Sequence, residues 1–467
     1  MRKELKEYNY DWMLWSLFKT ASKARNSTQK EYKNLLTSIP HFRNVAEALM
    51  NQEEVGVALS DMIAKYLENI ITAHEKGKKI AITTFCFNPA IFYAMDVVPV
   101  TLEVMTVSGT LVWRRGTAAY LDHANEAGFT ETSCSSQRGS LGAYLAGLGE
   151  PIDFIVCDSP GVCDTNANSF AFASSYMNLP LYSLDYPPVL TEQRASEYHA
   201  EDFKHLIKFI EEQTGSKLNI DRLREVLEEM NKQAELITEI EELCTMIPSP
   251  VPGVFHFFIY ACQFLFAGLR DSTVVLELIL KKIKENVAKG ITGLKSGKEK
   301  VRALMCYIDH YTTDMRFWNF MENNDVTICR SILSTFWQKG APYTAGKETE
   351  AYYLDTTSLD AMINSIAAAN SRMPMIKQIR GPYDSPGMWL TDTLAEAKLY
   401  KADCIIYSGT PGCRNTWGMV KLLARDTEAH GYPTHIMYSD AFDDRVQSWD
   451  ATASRLEEFL NVRRLLP

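Results

Sequence analysis

The chain lacks most of the short motifs by which a cofactor site announces itself. No two of its ten cysteines form a CxxC pair, which disfavours zinc fingers and locally built ferredoxin-type sites. A cluster held by cysteines far apart in the chain stays open. No GxGxxG occurs, so there is no dinucleotide fingerprint, and no GxxxxGK[ST], so there is no P-loop. The opening residues, MRKELKEYNYDWMLW, mix charge through their apolar positions and do not read as a signal peptide. The most apolar window, VFHFFIYACQFLFAGL at 254–269, is too short to span a bilayer and carries His256 and Gln263. It reads as a buried helix, so a cytoplasmic protein with no membrane partner is expected. A net charge of −10 argues against nucleic acid as a partner. Without an export signal, the cysteines are expected to be thiols or metal ligands rather than disulfides.

What is present is α/β alternation, twice. At 467 residues the chain has room for two or three domains. Residues 1–75 read as a helical N-terminal arm, a cap or a partner-docking element, with a stripe at Val55, Leu59, Ile63 and Leu67. The first α/β domain is expected over 76–200, with strands in KIAITT, VVPVTLEV, DFIVCD and PLYSLDYPP. A helical connecting segment follows over 201–297, broken at Gly215 and restarted with Asn219 as a cap. Its basic end, 281–302, reads as a solvated helix and linker or as a site for a phosphorylated substrate's tail. The second α/β domain is expected over 298–467, with strands in ALMCYI, DVTICRSIL, DCIIYS and THIMYS. The predicted fold class is α/β, with two Rossmann-like, doubly wound parallel-sheet domains.

Three cysteines share one local setting. In DCIIYSGTPGCRNTWGMVKLLARD, Cys413 lies in the loop between a strand and a helix whose stripe is Trp417, Val420, Leu423 and Ala424. Cys86 follows the strand KIAITT, with Pro89 where a helix's first turn tolerates it. Cys134 sits among the N-cap candidates Ser133, Ser135 and Ser136, before a stripe of Leu141, Tyr144, Leu145 and Leu148. Helix N-termini favour an anion, so thiols placed there turn more readily into metal-binding thiolates. A buried free thiol is the ordinary outcome for any one of them, but that outcome explains three alike poorly. Cys163, in a loop, is a reserve ligand. Cys157, Cys244, Cys262, Cys306, Cys329 and Cys404 lie in apolar segments and read as structural.

The blocks FCFNPAIFYAMDVVPVTLE, SCSSQRGSLGAYLAGL, DFIVCDSPGVCD and GTPGCRNTWGMVKLLARDTEAHGYPTHIMYSDAFDDR resemble the 2-hydroxyacyl-CoA dehydratase / benzoyl-CoA reductase family. The resemblance covers roughly 75–465. The RNTWGMVKLLARD version of the last block, with its DAFDDRV continuation, is most similar to the larger cluster-carrying subunit of ATP-dependent benzoyl-CoA reductases.

The resemblance implies a radical enzyme with a [4Fe–4S] cluster on Cys86, Cys134 and Cys413 and one iron left open. It implies a related smaller cluster-carrying subunit as partner, and a separate iron–sulfur activator that hydrolyses ATP. Arg138 and Arg414 match arginines that follow the family's cysteines; they either compensate cluster charge or pair with nearby acids. His123, Glu126 and Glu131 are the candidates for a proton donor. Three functions follow: an aromatic acyl-CoA reductase forming a cyclic dienoyl-CoA, a 2-hydroxyacyl-CoA dehydratase, or a cluster subunit that only transfers electrons.

Overall fold

The computed structural model describes residues 10–23, 29–38, 42–85, 87–158, 163–185, 193–307, 313–332, 342–343, 347–348, 353–370, 388–409, 412–413, 417–463 and 465. The chain forms two compact units. The first takes Met1–Gln233, Cys262–Val275 and Leu354–Asn370, and the second takes Ala234–Ala261, Leu276–Tyr353 and Ser371–Pro467.

The first unit opens with helices α1 (Tyr10–Ser22), α2 (Gln29–Thr37), α3 (Arg43–Met50) and α4 (Glu53–Ile71). The α4 stripe is buried at Val55, Leu59 and Leu67 and half-buried at Ile63. Tyr66 donates its hydroxyl to the Pro99 carbonyl at 3.2 Å and meets Phe266 edge-on at 5.3 Å. The arm thus contributes to the first unit's own core. Then follow β1 (Ile80–Thr83), α5 (Ala90–Ala94), β2 (Val98–Thr101), α6 (Val104–Glu126), α7 (Ser135–Leu145), β3 (Phe154–Asp158), α8 (Asp164–Met177) and β4 (Leu181–Leu184). The strands pair in parallel in the order β2-β1-β3-β4. β1, β2 and β3 are buried throughout, as parallel strands covered on both faces must be. Ile82, Leu141, Ile155 and Phe170 sit together in the core.

Helix α6 is absent from the sequence reading, which passes from the second strand straight to the Cys134 helix. Its Val, Thr and Gly content gives little helix propensity. Packing against α7 supplies what propensity does not: a Cβ on Gly142 would lie 1.9 Å from the Tyr120 carbonyl oxygen, so only glycine permits this approach.

Helices α9 (Gln193–Thr214), α10 (Ile220–Cys244), α11 (Phe255–Phe264) and α12 (Arg270–Lys289) come next, and the division between units falls inside the last three. Asn219 caps α10 as expected, its Oδ1 accepting the Arg222 N–H at 2.9 Å. The second unit adds β5 (Val301–Tyr307), α13 (Met315–Asn323), β6 (Val326–Ser331) and a two-stranded hairpin, β7 (Pro342–Tyr343) and β8 (Lys347–Glu348). Helix α14 (Leu359–Asn370), another element the sequence reading omits, returns to the first unit and packs on α9. The second unit closes with α15 (Met388–Leu399), β9 (Cys404–Ser408), α16 (Val420–Ala429), β10 (Thr434–Ile436) and α17 (Trp449–Val462). Its parallel sheet has the order β10-β9-β5-β6. The fold is therefore α/β with two Rossmann-like parallel sheets. No helix among the described residues is long and apolar enough to cross a membrane.

Candidate functional site

In each sheet the chain turns away on opposite sides of two neighbouring strands, β1 and β3 in the first, β5 and β9 in the second. Such switch points open a crevice at the carboxyl ends of the strands, where ligands of open α/β sheets bind. Of the cysteines singled out by sequence, Cys134, Cys163 and Cys413 are described. Cys86 follows β1 and lies outside the described residues. Cys134 is the N-cap of α7, with φ −56° and ψ 121°, and is 8% exposed. The cap position thus falls on the cysteine itself and on none of its serine neighbours. Cys163, read as a loop residue, is the N-cap of α8 and is buried.

Cys413 is buried in the loop after β9. Its carbonyl accepts the Trp417 N–H at 3.1 Å, the bond of one helical turn, while the regular helix α16 begins at Val420. Trp417 is half-buried and its ring meets Tyr438 at 4.9 Å. Arg414 lies outside the described residues. Cys134 is in the first unit and Cys413 in the second. Among the described residues, which omit Cys86, no three His, Cys, Asp or Glu side chains gather as a metal site.

The remaining cysteines behave as structural thiols. Cys157, Cys244, Cys262, Cys306, Cys329 and Cys404 are all at most 1% exposed. Burial pushes the thiols of Cys157, Cys244, Cys262 and Cys329 up to about 12, so they stay protonated at neutral pH.

The surroundings of Cys134 are different in kind. Ser135, Ser136, Gln137 and Arg138 of the first turn of α7 are all buried. The Arg138 guanidinium reaches Asn125 Oδ1 at 3.4 Å and the Thr130 carbonyl at 3.5 Å, neither of them an acid. Its Nε is buried without a hydrogen-bond partner. A helix N-terminus and a buried cation favour an anion at this cap, which is the state in which a cysteine holds iron. The residues present therefore fit a thiolate-ligated group.

Of the three proton-donor candidates, Glu131 is exposed, and His123 Nδ1 lies 3.8 Å from Glu126, on the last turn of α6. A residue not singled out from sequence stands out instead. Glu103 follows β2 and precedes α6, and it is 6% exposed. Burial pushes its carboxyl up to about 7, with the backbone N–H groups of Glu103 and Phe85 nearby pulling the other way. Gln137 Nε2 donates to Glu103 Oε1 at 3.3 Å. The signal available in the sequence was a carboxylate directly at the carboxyl end of an apolar strand. Glu103 Oε2 is buried without a hydrogen-bond partner, as are Thr83 Oγ1, Asn88 Nδ2, Gln137 Oε1 and Asn166 Oδ1.

Two parallel sheets with buried polar side chains and thiols at their carboxyl edges define an open α/β protein, a class whose ligands bind at those edges. The chain belongs to the 2-hydroxyglutaryl-CoA dehydratase, D-component, family, whose pattern matches residues 84–462. One benzoyl-CoA reductase subunit of Thauera aromatica is 21% identical over 430 residues, 88% of this chain and 95% of that protein. The (R)-phenyllactyl-CoA dehydratase alpha subunit of Clostridium sporogenes is 25% identical over 244 residues, 50% of this chain and 58% of that one. Both relatives are named as enzyme subunits.

Proposed function

We propose that this chain is the iron–sulfur subunit of an aromatic acyl-CoA reductase of the benzoyl-CoA type, holding a [4Fe–4S] cluster on Cys86, Cys134 and Cys413. The observation that carries the reading is Cys134 as the cap of α7, with Arg138 buried one turn on and unpaired with any acid in its hydrogen bonds. For the reaction, the extent of alignment with the benzoyl-CoA reductase subunit weighs towards ring reduction. A related smaller subunit and an ATP-hydrolysing iron–sulfur activator complete the enzyme in this reading.

When bound, the cluster supplies one-electron chemistry at a potential that no side chain reaches. This chain's part is to hold the thiolates, exclude water and keep protons at hand. The Cys134 cap sits at a helix N-terminus, worth about 0.3–1 kcal/mol towards the anion. Arg138 adds positive charge where a thiolate-ligated group would bring negative charge. Burial of the polar residues at the first crevice keeps bulk water from a reduced acyl group. A second reading, 2-hydroxyacyl-CoA dehydration, is favoured by that same crevice. Asn88 Nδ2, Gln137 Oε1 and Asn166 Oδ1, each left without a partner, suit a substrate hydroxyl better than they suit a planar ring.

Anaerobic purification with iron and sulfide analysis and electron paramagnetic resonance tests the cluster. Serine at Cys86, Cys134 or Cys413 is expected to abolish most bound iron, and Cys244→Ser is not. Full iron in Cys413→Ser sinks the ligand assignment. The assembled complex with activator, ATP and strong reductant should consume benzoyl-CoA with matching electron consumption. Dehydration of an (R)-2-hydroxyacyl-CoA on catalytic reductant, with benzoyl-CoA untouched, establishes the second reading instead.

A further inference from the structure

Two buried hydroxyls join α6 to α7. The Thr106 N–H donates to Ser140 Oγ at 3.0 Å, and Thr106 Oγ1 lies 2.8 Å from the same oxygen. Thr106 Oγ1 also donates to the Ser136 carbonyl. The directions follow from what each group can do. A carbonyl only accepts, so Thr106 spends its one hydroxyl hydrogen on Ser136. In the contact between the two hydroxyls Ser140 is therefore the donor. Thr106, Ser136 and Ser140 are at most 2% exposed, so these bonds form where water does not compete.

Each helix gives the other something. Thr106 is the third residue of α6, and the N-cap Glu103 supplies no side-chain cap. Its N–H is one of the donors that a helix start leaves without an intrahelical acceptor, and Ser140 takes it. In return α7 is gripped in its first turn, at the carbonyl two residues beyond the Cys134 cap. Ser136, Gly139 and Ser140 share one face of α7. A Cβ on Gly139 would stand 2.6 Å from Thr106 Oγ1, so the approach needs glycine there. The start of α6 is itself fixed, because the Leu102 N–H donates to the Thr83 carbonyl at the end of β1, at 2.8 Å. The helix of Cys134 thus hangs from the carboxyl edge of the first sheet by way of Thr106.

We propose that Thr106 and Ser140 are positioning residues, which together set the rotation of α7 against the first sheet and so the direction in which Cys134 and Arg138 meet a cluster. The proposal rests on the cluster reading above. Valine keeps the shape of Thr106 and removes its hydroxyl, whereas serine keeps the hydroxyl.

The test has two arms. In the iron-free chain, hydrogen exchange at the amide of residue 106 is expected to speed up about tenfold in Ser140→Ala, which removes its acceptor, and to stay within about threefold of wild type in Thr106→Ser. In the iron-loaded complex, Thr106→Val should lose iron to a chelator about tenfold faster and shift the resonance of the reduced cluster, with Thr106→Ser restoring both. Thr110→Val is the control, since it removes a buried hydroxyl contact that lies within α6, Thr110 to Thr117 at 3.3 Å. It should leave the resonance unchanged even where it lowers the melting temperature. The two arms use different variants, so either decides if the other's variant does not fold.

A wild-type exchange rate in Ser140→Ala, wild-type iron retention and resonance in Thr106→Val, or the same spectral change in Thr110→Val overturns the proposal. Equal iron in wild type and Cys134→Ser would instead remove the cluster reading. The exchange arm then decides alone whether the two hydroxyls fasten α7 to α6.

Discussion

The two sheets follow one plan. Each places its first and third strands side by side, its second strand outside the first and its fourth outside the third. Each is tied at the amino end by an aspartate just before the third strand. Asp153 accepts the Ile80 N–H at 2.8 Å and returns its own N–H to the Ile80 carbonyl at 2.9 Å. Asp403 does the same with Arg302, at 2.8 Å in both directions. Beyond this shared frame the units part. The second fixes its sheet with buried ion pairs: Arg302 with Glu299 at 2.8 Å, and Arg330 with Glu241 and Glu396. The first buries neutral amides and hydroxyls at its carboxyl edge and leaves several of their atoms without partners.

Buried polar groups cost free energy unless satisfied, so where they persist without a protein partner a water, an ion or a ligand completes them. The charges of the second unit answer one another and read as scaffold. The polar edge of the first keeps atoms without partners among the described residues and reads as the working surface.

The sharpest way to break this contrast is Arg330→Met. It leaves Glu241 and Glu396 buried without their cation, and the loss should be about 3–5 kcal/mol, seen as a lower urea midpoint. A loss below about 1 kcal/mol would mean that the pair is no scaffold.

The next effect is set by pH. The Glu103 carboxyl is raised to about 7 in the folded chain from an ordinary value of 4.5. Between those values the folded state binds more protons than the unfolded state, so stability falls as pH rises and levels off above about 7. The cost at pH 8 relative to pH 4 is on the order of 3 kcal/mol. In Glu103→Gln that fall should vanish, so the variant gains on wild type as pH rises. A difference that stays constant with pH would refute the raised carboxyl.

The smallest effect expected is at the α6–α7 contact. Gly142→Ala should cost about 1–3 kcal/mol by forcing the Tyr120 carbonyl away, with thermal unfolding as the measure. An unchanged midpoint would show that α6 has room to shift.

The strands were legible because each is a short apolar run between turn formers: KIAITT contains β1, ALMCYI most of β5, and DCIIYS β9. The start of the Cys134 helix was legible from the serines around it, although the cap fell on the cysteine instead. Helix α6 was not legible, because its faces are not divided into a polar and an apolar side, whereas α14 was simply passed over: it buries Met362, Ile363, Ile366 and Ala367 and exposes Asp360 and Asn364. Val104–Glu126 carries two glycines and several β-branched residues, and its partner is a helix that is itself buried over Ser135–Ala143. Glu103 was missed because a carboxylate after a strand looks like a solvated end. Its burial depends on Phe85 and Gln137, 18 and 34 residues away. The interleaving of the two units likewise depends on contacts between distant residues, which periodicity does not carry.

That interleaving bears on how the molecule is made. Helix α14 is the last segment of the first unit, and β5 and β6 of the second precede it in the chain. A ribosome must therefore deliver residue 370 of 467 before the first unit has all its parts, and by then half of the second sheet has already emerged. Chains whose domains are continuous finish one before starting the next. Here both units are on the ribosome, incomplete, at the same time, so no cut in the gene yields a half that contains one whole unit and nothing of the other.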